Sequence, residues 1–141
     1  MTVPTPEPAG DRGITLLRGA ALVCLLEGVA LAALAIIEVA TLDSARLVAG
    51  VTTTIFFVLY AVGLTVAAVG LARAQSWSRA PLMLSQLIQL GLAWSFHGPG
   101  TEAVAAVLAG SAIFVIVVLV LPSTTTALYG ERGAGGTTRK A

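Results

Sequence analysis

The chain almost never alternates between hydrophobic and polar positions. Four apolar stretches follow one another at about 14–40, 45–74, 80–96 and 102–121, separated by the short polar breaks TLDSAR, AQSWSR and HGPGT. The last stretch contains the run SAIFVIVVLVL, which is apolar on every side of a helix and shows neither a 3.6-residue nor a 2-residue period. A membrane β-barrel needs alternating strands of about 10 residues, and the pattern contains none. Roughly 20 apolar residues in helical form cross the hydrocarbon of a bilayer. The pattern therefore predicts an all-α integral membrane protein, a four-helix bundle with short loops.

The ends of the stretches carry ordinary helix punctuation. Pro4, Pro6, Pro8 and Gly10 make residues 1–13 a flexible tail, and the Gly- and Thr-rich residues 123–141 a disordered one, leaving 14–122 as a single membrane domain. Asp43 or Ser44 is placed to cap the second helix. Pro81 is expected in the first turn of the third, where a missing N–H costs nothing, and Pro122 ends the fourth. Thr52, Thr53 and Thr54 are expected to bond back to carbonyls of their own helix. The first apolar run is longer than the roughly 7–15 residues of a signal-peptide core, so it is expected to remain as an anchor.

Composition sharpens this picture. The 141 residues are 57% hydrophobic and only 11% charged, against roughly 25% charged in a soluble domain. Mean hydropathy is +0.94. A formal net charge of +1 gives no reason to expect a nucleic-acid partner. Cys24 is the only cysteine and His97 the only histidine, so no intramolecular disulfide, zinc set or Ser-His-Asp triad is expected. No nucleophile pair or phosphate-cradling glycine motif is present either. The inventory predicts a non-enzymatic protein without a cofactor or metal.

The basic residues set the orientation. Arg12, Arg18, Arg73, Arg79, Arg132, Arg139 and Lys140 fall on one side of the four-span map; Arg46 falls on the other, with Glu38, Asp43 and Glu102. That asymmetry predicts cytoplasmic termini and a cytoplasmic middle loop. Arg18, Trp77 and Trp94 are the expected interface anchors, the arginine by snorkelling and the tryptophans as members of opposite aromatic belts.

At least one polar side chain falls near mid-depth in each span. Glu27 is the costliest, since a charge at the bilayer centre is unfavourable by about 3 kcal/mol on insertion scales. Gln86 and Gln89 in span three, Tyr60 in span two and Ser111 in span four lie at comparable depth. Such groups must find partners within protein, so Glu27, Tyr60, Gln86, Gln89 and Ser111 form a candidate polar cluster. Ser85, Gln86, Gln89 and Ala93 share one helical face, while Leu84, Leu87 and Leu90 lie opposite. Glu27 itself has three readings: a proton or cation carrier, an internal structural acid, or a contact to another chain. Gly63, Ala67 and Gly70 make a small-residue edge for close helix contact, within the chain or between copies.

The segment WSRAPLMLSQLIQLGLAWSF resembles small four-span membrane proteins of high-GC actinobacteria, which carry similar Arg-Ala-Pro, Gln-Leu and Ala-Trp-Ser patterns. The resemblance covers the four spans and implies a plasma-membrane location with a cytoplasmic N-terminus. No activity is attached to that group. A weaker resemblance is to small multidrug resistance transporters, which have four spans and a mid-span glutamate that Glu27 would match. Tyr60 would match their span-two tyrosine, but the second span here lacks their proline. Together these features lead to an accessory or interaction subunit of a larger membrane assembly. The alternative is a small proton-coupled transporter using Glu27 as a homo-oligomer.

The topology is open to direct test. In a Cys24→Ser background, single cysteines at 43 and 98 should react with membrane-impermeant maleimide from outside the cell, and one at 76 only after permeabilisation. Labelling of 43 and 98 solely from inside would reverse the map.

Overall fold

The computed structural model describes residues 9–41, 47–96, 98–125 and 128. Within them the chain forms helices α1 (Ala9–Ala40), α2 (Leu47–Ala72), α3 (Arg79–Ser95) and α4 (Glu102–Val120), with a 3-10 turn at Ser76–Ser78 before α3. No strand occurs among the described residues. Three helices contain stretches long and apolar enough to cross a membrane: Arg12–Ala40, Leu47–Ala72 and Glu102–Val120. α3, with 17 residues, is about 26 Å long at the α-helical rise, slightly under the about 30 Å of a hydrocarbon core.

The helix ends lie close to their expected positions, with two differences. α1 begins at Ala9, inside the segment expected to be a flexible tail, because residues 9–13 contain no proline and continue the helix backwards. At the other end the packed chain runs past Pro122. Thr124 is fully buried, and Leu128 joins the core cluster. The Thr124 hydroxyl donates to the carbonyls of Val118 and Leu121, closing the end of α4. Leu121 is extended (φ −55°, ψ 136°), as the residue before a proline tends to be. The expected cap at Asp43 or Ser44 and the loop residue His97 lie outside the described residues.

α2 ends in a Schellman motif. The Gln75 N–H donates to the Gly70 carbonyl at 2.9 Å, and the Ala74 N–H to that of Leu71 at 2.9 Å. Ala74 takes the left-handed position at φ 53°, where glycine is usual. The turn then lays the Trp77 ring over Gly70. A Cβ on Gly70 would stand 2.8 Å from Trp77 Cζ2 and 3.1 Å from Ser78 Cβ. Gly70 is thus packed against the turn that leads into α3.

Consecutive helices pack as neighbours, α1 on α2 and α3 on α4, while α1 also meets α4 and α2 meets α3. The connections are far shorter than the helices, so consecutive helices run antiparallel. Inside lie mostly small or medium side chains: Ala20, Ala21, Cys24, Ala61, Ala67, Ala68 and Ala112, with Leu17, Leu64, Leu71, Leu82 and Leu119 filling the ends. Outside lie Leu22, Leu26, Ile36, Phe56, Leu59, Leu84, Val107 and many other large apolar groups. Small residues are enriched inside, and most of the large apolar groups lie outside. That arrangement suits helices whose outer solvent is itself hydrocarbon. In water it would leave an apolar patch far beyond what monomers tolerate.

α1 and α2 approach closely at Gly28. A Cβ there would meet Thr65 Oγ1 at 2.8 Å and the Ala61 carbonyl at 3.5 Å. The Thr65 hydroxyl is held in place by donating to that same carbonyl at 2.7 Å. Of the expected small-residue edge, Ala67 is buried, but Gly63 is exposed and a Cβ on it would meet nothing within 4 Å. The helix-contact glycine is therefore Gly28, and Gly63 borders an open groove.

Gly28→Leu should cost about 1–3 kcal/mol by overpacking this contact. Gly63→Ala should be neutral or stabilising by about 0.5–1 kcal/mol through helix propensity. Reversible unfolding in mixed micelles reads both. A larger loss at Gly63 than at Gly28 would refute the assignment.

Candidate functional site

Glu27 lies near the middle of the apolar stretch Arg12–Ala40, on the face of α1 that carries the buried Cys24 and Gly28. Those neighbours are small, and this leaves room for the carboxyl to reach across the interior to α3. There it meets two amides one helical turn apart. Gln86 Nε2 donates to Glu27 Oε2 at 2.9 Å, and Gln89 Nε2 donates to Glu27 Oε1 at 2.9 Å. The i, i+3 spacing of the glutamines puts both donors on one face of α3, and each carboxyl oxygen accepts one of them.

The second amide also ties in α4. Gln89 Nε2 lies 2.7 Å from Ser111 Oγ and 3.2 Å from the Leu108 carbonyl, and the Ser111 hydroxyl itself donates to Leu108 at 3.2 Å. One nitrogen is thus surrounded by three oxygens: Glu27 Oε1, Ser111 Oγ and Leu108 O. Gln86 is fully buried, its Nε2 standing 3.8 Å from Cys24 Sγ. Its other amide atom, Oε1, is buried without a hydrogen-bond partner. Every interaction of Glu27 is with neutral groups, and among the described residues it forms no ion pair. Nor do the described residues contain a group of three or more His, Cys, Asp or Glu able to hold a metal.

Four of the five expected cluster residues, Glu27, Gln86, Gln89 and Ser111, come together. Tyr60 does not join them: its hydroxyl donates to the Ser85 carbonyl at 3.4 Å, on the side of α3 that faces α2. Its ring stacks on Phe56, with centroids 5.8 Å apart and planes at 8°. Depth along the helix is right for Tyr60, but rotation about α2 points it elsewhere. Ser85 turns its own hydroxyl back to the Leu82 carbonyl at 2.8 Å. Leu84 and Leu87 are exposed as expected, whereas Leu90 is partly buried toward α4.

The remaining candidates are peripheral. Arg18 is exposed, and Trp77 and Trp94 are exposed at opposite ends of α3. Trp77 Nε1 donates to Gln75 Oε1 at 2.8 Å. Thr52 bonds back to Val48 at 2.8 Å, while Thr54 Oγ1 is buried without a partner. Two apolar grooves flank α3. One runs along α2 past Tyr60, Gly63 and Ser85, and the other along α4 past Trp94, Glu102 and Ala109. Sequence reasoning missed Gly28 and the Leu108 carbonyl. The first was a lone glycine one residue from the acid, and the second has no side-chain signal.

No protein family, curated protein or solved structure matches this chain.

Replacing Glu27 separates the roles of shape and polarity. Glu27→Leu should cost about 1–3 kcal/mol, because it strands the buried Gln86 amide and removes an acceptor from Gln89. Glu27→Gln should cost less than half as much. Its Oε1 keeps one glutamine bond, and rotation of the Gln86 amide offers the orphaned Oε1 to the new Nε2. Equal losses in the two variants, measured by unfolding in mixed micelles, would show that the hydrogen bonds do not hold the helices together.

Proposed function

We propose that the chain is a four-span integral protein of the plasma membrane, with both termini cytoplasmic, serving as a non-enzymatic accessory or interaction subunit of a larger membrane assembly. The observation that carries this reading is the internal satisfaction of Glu27. Both of its oxygens accept amides from the same chain. The acid is therefore held within this subunit and need not recruit a charged group from another protein. What the chain offers outward is a broad apolar surface of large side chains, suited to lipid and to neighbouring membrane helices.

Counting α3 as the fourth span rests on its outer face. Leu84, Leu87, Ile88 and Leu92 are exposed along it, and Trp94 is 82% exposed near its end. Its polar groups turn inward, so its modest overall apolarity is compatible with hydrocarbon on the outside. The antiparallel order puts the start of α1, the α2–α3 turn and the end of α4 at one end. Arg12, Arg18, Arg73 and Arg79 gather there, which favours that end as cytoplasmic. The resemblance of the α3 segment to actinobacterial four-span proteins agrees with this location.

A second reading, a small proton-coupled transporter acting as a homo-oligomer, has one observation in its favour. The carboxyl lies beside an unpartnered buried acceptor, Gln86 Oε1. Intramembrane acids in such settings mark ion and proton pathways.

Stoichiometry separates the two. After gentle detergent extraction, native mass spectrometry should find the chain with at least one different membrane subunit in a fixed ratio. A homo-oligomer alone, with proton-driven uptake lost in Glu27→Gln at normal expression, would replace the accessory reading with the transporter.

A further inference from the structure

We propose that the groove between α3 and α4 holds one acyl chain of a membrane phospholipid whose headgroup carries a primary ammonium, with Glu102 as the partner of that ammonium. The depth of the groove in a bilayer rests on the membrane reading above. Resistance of the chain to carbonate extraction tests that reading on its own.

The groove follows from the side chains that the two helices turn toward it. Glu102, Ala105, Ala109 and Ile113 recur at helical spacing along one wall, and Ala93 and Trp94 of the antiparallel α3 lie on the other. The three alanines keep the walls short. Gln89 ties α3 to Ser111 and to the Leu108 carbonyl near the deep end. The trough left open encloses about 650 Å³. That is room for a small organic group rather than for single waters.

Length and polarity select the occupant. From Glu102 to Ile113 the helical rise is about 16 Å, close to half of the about 30 Å of a hydrocarbon core. The acyl chain of one leaflet has that reach, whereas a transmembrane helix needs about twice as much. The wall also changes character along its length. Ala105, Ala109 and Ile113 bring no polar side chain, while Glu102 sets a carboxylate at the end where α4 begins. Among the described residues Glu102 forms no ion pair. A primary ammonium matches it in charge and donates hydrogen bonds to it; a quaternary ammonium has no N–H to donate, and an anionic headgroup is repelled. Trp94, at the same end, is placed as interfacial tryptophans are, at headgroup level.

Trp77→Phe leaves Trp94 as the only tryptophan, and quenching of its emission by dibrominated acyl chains reports the lipid beside it. The purified full chain with this change is placed in phosphatidylcholine bilayers holding a small fraction of dibrominated phosphatidylethanolamine, phosphatidylcholine or phosphatidylglycerol. Phosphatidylethanolamine should quench as though enriched about two- to fivefold over phosphatidylcholine, the scale of one exposed ion pair. Phosphatidylglycerol should quench least. Glu102→Gln and, separately, Ala109→Leu, each checked by circular dichroism to be helical, should abolish the preference, the first by removing the charge and the second by filling the trough. Equal quenching by the three lipids in a carbonate-resistant chain would overturn the proposal and leave the membrane reading standing. So would a preference that survives in either folded variant, or a second polypeptide, seen by native mass spectrometry, whose retention is lost in Ala109→Leu.

Discussion

A polar group placed in hydrocarbon must find its partner inside the protein, and Glu27 is where this chain meets that demand most severely. Its side chain points to the interior because no other direction offers a donor. Once it does, the rotation of α1 is set, and with it the faces that carry Cys24 and Gly28. The two amides on α3 fix that helix in turn, since Gln86 and Gln89 share a face only one turn long. Gln89 then reaches Ser111 and the Leu108 carbonyl on α4. Three helices are aligned by one short chain of hydrogen bonds. Each such bond contributes modestly, about 1 kcal/mol or less in membrane proteins. Its importance lies in excluding rotations that would leave a carboxyl or an amide facing lipid.

α2 joins by a different device. It shares none of that polar chain and packs on α1 through close contact. Gly28 opens the space, and Ala61 and Thr65 occupy it. Apolar groups gain little by leaving lipid for a helix interface, so contact there relies on dispersion across surfaces that approach closely. Small residues permit that approach. This fits the many alanines, with Gly28 and Cys24, that lie inside beside a set of buried leucines and valines, while large apolar groups dominate the exterior. It also explains the missing hydrophobic period in the sequence: the pattern is one of size, written in residues that hydropathy scores alike.

What the sequence revealed follows the same division. The helices were legible because their length and apolarity answer to bilayer thickness, and the breaks at Gly, Pro and Ser-rich segments limit them. Gln86, Gln89 and Ser111 were legible because polar side chains in such helices are few, and helical spacing assigns them a face. Tyr60 was expected in the cluster and turns instead to the α2–α3 groove. Depth follows from counting residues, but rotation depends on the neighbours, and Phe56 and the Ser85 carbonyl hold its ring at the α2–α3 groove. Gly63 and Gly70 looked like contact residues by spacing alone. The Schellman turn at Ala74 claims Gly70 for Trp77, and nothing approaches Gly63. Leu128 returns to the core from a segment whose composition suggests only a tail.

The choice of a carboxyl at position 27 is not explained by helix alignment. A glutamine there would be neutral, would retain an acceptor for one amide, and would offer a donor to the orphaned Gln86 Oε1. It would satisfy at least as many hydrogen bonds without the desolvation cost of a group that can ionise. Sequences that specify a fold consistently tend to break local rules where function intervenes. The unused acceptor on the buried Gln86 is the one imbalance left beside the acid.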